Sequence, residues 1–166
     1  MTRAQLEHLI RAAATIADDP EIVVIGSQAV LGQFPEAPSD LLISVEADLY
    51  RRHHPERSDL IDGSIGELSP FHQTFGYYAH GVGEETAKLP AGWQQRLVRV
   101  PVEGAVGLCL EIHDLVPSKW AAGREKDRDF VATAVRAGLV QTRSDRSCGP
   151  SSAQPSGASP HHCLAS

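Results

Sequence analysis

Cysteine is scarce: Cys109, Cys148 and Cys163 are the only three in 166 residues, and no two stand in a C-x-x-C pair. An odd, scattered count argues against a disulfide framework and leaves reduced thiols as the expected state. Positive charge is short as well. Fifteen basic against 21 acidic side chains give a net charge of −6, so no overall field gathers nucleic acid, and any contact with RNA or DNA must be local. Apolar runs long enough to span a bilayer are missing, and the first residues, Met1-Thr2-Arg3-Ala4-Gln5-Leu6-Glu7, lack the apolar core and cleavage site of a secretory signal. A cytoplasmic chain with no membrane partner is expected. The length leaves room for one modest core and not for two.

What is present alternates helical and strand patterns. Leu6, Leu9, Ile10, Ala13, Ile16 and Ala17 fall at three-and-four spacing and predict an amphipathic helix from Arg3 to Ala17, stopped by Asp18-Asp19-Pro20. Glu21-Ile22-Val23-Val24-Ile25 is β-branched and short, the pattern of a buried strand. Gly26-Ser27 ends it, and Gln28 to Gly32 read as one or two helical turns. Beyond a proline-marked loop at Pro35 and Pro38, the second half of Leu41 to Tyr50 alternates like a strand. A helix is expected around Ser58 to Leu68, closed by Pro70. The next segment, Phe71 to Gly83, holds four of the nine aromatic side chains, Phe71, Phe75, Tyr77 and Tyr78, and is a candidate pocket wall. Strands follow at Leu97–Val102, with Pro101 near an edge, and at Val106–Ile112. Asp114 or Ser118 can cap a helix running through Ala122, Gly123 breaks it, and a last helix spans Glu125 to Ala137. The Ser/Pro/Gly-rich segment 141–166 has almost no large apolar side chain to offset its ordering entropy and is expected to be disordered, leaving a domain over residues 1–140.

Three features belong together chemically. Glu46 and Asp48 lie two apart on a strand and so share a face, and adjacent like charges there suit a divalent cation such as Mg²⁺, which binds through hard oxygens. Gly26 and Ser27 lie at a strand-to-helix turn where backbone can approach a phosphate closely. Lys119, Arg124, Lys126 and Asp127 crowd the C-terminal helices, where cations can hold phosphates. Taken singly, each has a plain structural reading as a solvated edge, an ordinary turn or a charged helix face.

The order Val24-Ile25-Gly26-Ser27-Gln28-Ala29-Val30-Leu31, then Ser44-Val45-Glu46-Ala47-Asp48-Leu49, then Ser118-Lys119 through Gly123-Arg124-Glu125-Lys126-Asp127 resembles a minimal nucleotidyltransferase of the DNA polymerase beta superfamily. It looks closest to a bacterial branch akin to abortive-infection toxins, over about residues 3 to 140. The resemblance implies an α/β (α+β) fold, a mixed sheet flanked by helices. It also implies transfer of a nucleoside monophosphate from a nucleoside triphosphate to a hydroxyl of RNA, such as a tRNA end, or of a protein. Toxin action restrained by an antitoxin protein belongs to the same analogy, and a decayed nucleotide-binding or antitoxin-partnered module on the same fold is the alternative. By position, Gly26 and Ser27 match the phosphate-binding turn, Glu46 and Asp48 the metal pair, and Lys119 and Asp127 the later basic and acidic positions. A third metal acid on a neighbouring strand is assigned to Glu111, with Asp114 behind it. His72, Tyr77, Tyr78 or His80 would stack the base. The chain departs from the pattern at Glu46, where Asp is usual and the extra methylene moves the carboxylate by roughly 1.5 Å.

Overall fold

The computed structural model describes residues 1–140. The expected disorder of 141–166, together with Cys148 and Cys163, lies outside the described residues. Helix α1 (Arg3–Ala17) has the range its periodicity predicts; Thr2 caps it in a reciprocal box with Gln5, and Leu6, Leu9, Ile10 and Ala13 are its buried stripe. Strand β1 (Glu21–Val24) follows, then a single 3₁₀ turn over Ser27–Ala29 and a four-residue helix α2 (Val30–Gln33). Strand β2 (Glu46–Arg51), helices α3 (Asp59–Ile65) and α4 (Pro70–Phe75), strands β3 (Tyr78–Gly81), β4 (Val98–Val102) and β5 (Ala105–Cys109), and helices α5 (Ile112–Ala122) and α6 (Glu125–Arg136) complete the chain.

The sheet is mixed, in the order β3-β2-β1-β5-β4. β1 pairs antiparallel with β2 and parallel with β5, β2 pairs parallel with β3, and β4 pairs antiparallel with β5. Helix α1 lies against all five strands. Its approach is close at Gly107, where a Cβ would stand 2.5 Å from Ile10 Cδ1, so a side chain there would force Ile10 to shift. Ile22, paired to Gly107 on one side and to Arg51 on the other, belongs to this covered face. Along β2 Ala47 and Leu49 are buried, whereas Glu46 and Asp48, which alternate with them, are half-exposed on the opposite face. Gly123, at φ 69°, turns the chain so that α6 folds back on α5.

Three sequence expectations are corrected. Pro70 opens a helix rather than closing one: Ser69 caps α4 by accepting from the His72 amide at 3.1 Å, and proline suits the first helical turn. The aromatic stretch is not one wall but a short helix followed by a strand, β3. Helix α5 begins at Ile112, ahead of both Asp114 and Ser118, and carries Pro117 inside it. Pro101 does sit in an edge strand, as a residue without an N–H should. Cys109 is fully buried, which pushes its thiol up to about 12 and keeps it protonated. No helix among the described residues is long and apolar enough to cross a membrane.

Candidate active site

The two β2 carboxylates project where α5 and α6 face the sheet. A cleft of about 490 Å³ runs over them, lined also by Ser27, Lys119, Arg124, Lys126 and Asp127. A second cavity, about 320 Å³, is lined by Gly26, Lys88, Ser118 and Ala122 and shares Asp48, Thr86, Lys119 and Arg124 with the first. Asp48 and Lys119 therefore stand at a junction of two openings. Gly26, Ser27, Glu46, Asp48, Lys119, Arg124, Lys126 and Asp127, all expected from sequence, are gathered here.

Gly26 is needed for a reason the sequence did not suggest. Its backbone, φ −76° and ψ −175°, is open to any residue. A Cβ on it would lie 2.1 Å from Asp48 Oδ2 and 2.8 Å from Asp48 Cγ. The glycine makes room for the acid. Its neighbour Ser27 opens only the 3₁₀ turn, so the expected helix N-terminus with a sizeable dipole is not formed there.

Burial, then the charge of Glu46, hold the Asp48 carboxyl above the usual range, with Lys119 and His80 opposing them. Glu46 is anchored: the Tyr78 hydroxyl donates to its Oε2 at 2.9 Å. Burial and then that hydrogen bond push the Tyr78 phenol up to about 12, so it remains a donor. The longer acid at position 46 is thus held by a partner on β3, which accommodates its extra methylene. Tyr78 stands opposite Glu46, and His80 opposite Asp48, in the β2–β3 ladder.

Across the cleft, Asp127 is buried with both oxygens engaged, Oδ1 to Lys119 Nζ at 3.3 Å and Oδ2 to Arg124 Nε at 2.7 Å. Burial alone would raise its pKa; the Arg124 hydrogen bond and the Lys119 charge outweigh it and lower the value. Asp127 thus ties Lys119 and Arg124 together at the edge of the cleft. Lys126 lines the same cleft from α6.

Glu111 is not brought to this cluster. It caps α5, accepting from the His113 amide at 2.8 Å, and its other oxygen meets His113 Nδ1 at 2.8 Å and the Gln33 side-chain amide at 3.2 Å. Asp114 is buried in a bidentate pair with Arg96, at 2.7 and 2.8 Å. The side chain that does join the two acids from a neighbouring strand is His80. One ligand atom each from Glu46, Asp48 and His80 lie within 4.8 Å of one another. Expected base-stacking groups scatter accordingly: Tyr77 is buried with its hydroxyl 2.7 Å from His8 Nδ1, in a ring cluster with Phe71 and Phe75 outside the cleft, while His72 lies tilted against Tyr78 with ring centroids 4.6 Å apart. The apolar lining of the cleft comes from Leu41, Ile43 and Phe130, none of them singled out by sequence.

The donor set of two carboxylates and an imidazole, held on adjacent strands of one sheet, fits a divalent cation. Residues 4–141 match the family described as "Nucleotidyltransferase of unknown function (DUF6036)". No curated protein and no solved structure matches the chain. The chain belongs to this nucleotidyltransferase family, and its mixed sheet with flanking helices is a nucleotidyltransferase-like fold.

Proposed function

From membership of a nucleotidyltransferase family, we propose that the chain transfers a nucleoside monophosphate from a nucleoside triphosphate to a hydroxyl of an RNA or protein acceptor, using a divalent cation of the Mg²⁺ class held by Glu46 and Asp48. The observation that carries this reading is the junction itself: Asp48, with Glu46 beside it in the larger cleft, and a tethered lysine stand where two cavities meet. In-line displacement needs access from opposite sides of one phosphorus. The triphosphate lies in the larger cleft, its base against Ile43 and Phe130, and the acceptor enters by the smaller one. Lys119 and Arg124, fixed by Asp127, hold phosphate oxygens and offset the charge that builds on them. Ser27 and Thr86 supply hydroxyls to the same phosphates. The acceptor oxygen bonds the α-phosphorus, the bond to the bridging oxygen breaks, pyrophosphate leaves and the hydroxyl proton passes to water. A bound cation neutralises the acid pair and polarises the phosphate.

Purified protein incubated with each α-labelled ribonucleoside triphosphate, Mg²⁺ or Mn²⁺, and total tRNA tests the reading, beside a Glu46→Gln, Asp48→Asn double variant. Label passing to RNA or to protein with the native acids alone supports it and names the acceptor. Full transfer by the double variant overturns it, and nucleotide binding with no turnover under any triphosphate establishes the binding-module alternative instead. Growth arrest on expression, relieved by a co-expressed protein, is what the toxin analogy requires.

A further inference from the structure

Imidazole–carboxylate pairs recur in this molecule, and their separations divide them. His53 Nδ1 stands 2.9 Å from Asp19 Oδ1 and His113 Nδ1 2.8 Å from Glu111 Oε1, both ordinary hydrogen bonds. His80 Nδ1 stands 3.4 Å from Asp48 Oδ1 and 3.5 Å from Glu46 Oε1, beyond hydrogen-bond range of either. The other long pair, His54 with Glu56 at 3.4 Å, involves a single acid, and both partners are mostly exposed. His80 faces two carboxylates at once. Two atoms each about 2.1 Å from a common ion lie about 3 to 3.5 Å apart, so His80 is spaced from both acids as one ligand is from another.

The backbone supports this placement. His80 is opposite Asp48 in the β2–β3 ladder, so the two side chains leave the same face of the sheet. At the next position, a Cβ on Gly81 would lie 2.1 Å from the Ser58 carbonyl oxygen, so β3 is seated directly on α3. Tyr78, two residues before His80, ties Glu46 to the same strand. No further carboxylate joins the cluster among the described residues, Glu111 being engaged as a helix cap.

We propose that His80 is the third protein ligand of the cation site, and that its imidazole nitrogen turns the site's preference from Mg²⁺ toward a divalent first-row transition ion, with Mn²⁺ the probe. The inference rests on the reading of Glu46 and Asp48 as a metal pair. Its physical basis is ligand chemistry. Mg²⁺ favours oxygen and keeps much of its water, whereas imidazole adds affinity for ions further along the transition series, and Mn²⁺ accepts carboxylate oxygen and imidazole nitrogen together.

The test needs no nucleotide transfer. Mn²⁺ binding to the full chain is titrated by electron paramagnetic resonance, with Mg²⁺ as competitor, for the native protein, His80→Ala and His80→Asp; thermal melts verify that each variant folds, as the half-exposed position of His80 favours. Native protein is expected to bind Mn²⁺ at least about tenfold more tightly than His80→Ala and to show nitrogen hyperfine coupling that both variants lose. His80→Asp is expected to recover binding with Mg²⁺ competing several-fold better. Mn²⁺ affinity in His80→Ala within twofold of native, or a native spectrum without nitrogen coupling, overturns the proposal. The two readings part cleanly: nitrogen-coupled Mn²⁺ without label transfer defeats the transferase, whereas transfer with a metal profile indifferent to His80 defeats the ligand.

Discussion

The two walls of the cleft hold their acids in opposite ways. On the α5–α6 side, Asp127 is enclosed by Lys119 and Arg124 and its pKa is lowered. On the β2 side, Asp48 has Glu46 beside it and its pKa is raised. One carboxylate contributes stability and the other costs it. The contrast teaches where to look for function: a satisfied charge belongs to the scaffold, and a charge held against its preference persists in a fold when something outside the chain will complete it.

Substitution should break the contrast most sharply at Asp48. Asp48→Asn is expected to reduce transfer by about a thousandfold while raising the melting temperature at neutral pH. The sign follows from linkage. A carboxyl whose folded pKa lies above its unfolded value is penalised once pH exceeds the unfolded value, so the neutral amide removes that penalty at pH 7 and changes nothing in strong acid. A calorimetric melt and a label-transfer rate on one preparation check both halves.

Gly26→Ala should follow, with transfer down by about a hundredfold and Mn²⁺ binding weakened, because the added Cβ must push the Asp48 carboxylate out of place. Asp127→Asn is expected to destabilise by about 2 to 3 kcal/mol, less than for a wholly buried pair because the Arg124 side chain is 60% exposed. Here the pH dependence has the other sign: the lowered pKa gives stability that is present above the unfolded value and lost as pH falls through the folded one. Native and variant unfolding curves should therefore converge in acid. Glu111→Ala should have the smallest effect, about 1 kcal/mol from the lost helix cap with transfer unchanged, measured by denaturant unfolding. A collapse of transfer in that variant would restore Glu111 to the metal site.

Most of the site was legible because it lies on elements with strong periodicity or distinctive order. Helix α1, strand β1, the acid-bearing half of β2 and the cation-rich α5–α6 turn all follow from spacing. Strand β3 did not, since Tyr78-Ala79-His80-Gly81 is four residues with little β-branching, and without it His80 could not be seen to face Asp48. Glu111 misled because an acid between a strand and a helix reads equally as metal ligand or cap, and only the three-dimensional placement of Gln33 and His113 decides. The start of α5 was set too late because Asp114 and Ser118 are the usual capping types, whereas Glu111 caps the helix. Gly26 was singled out for phosphate approach, and the packing adds a requirement that spacing could not show, clearance for Asp48.

That clearance has a historical consequence. Since the backbone at position 26 would admit any residue, the glycine is constrained by what stands at position 48. A lineage that replaced the acid at 48 with a smaller side chain would lose the pressure to keep glycine at 26, and a side chain could settle there without penalty. Regaining the acid would then meet an occupied space. Loss of this site is a ratchet: once the acid is gone the second step meets no resistance, and the two must be undone in reverse order to lead back.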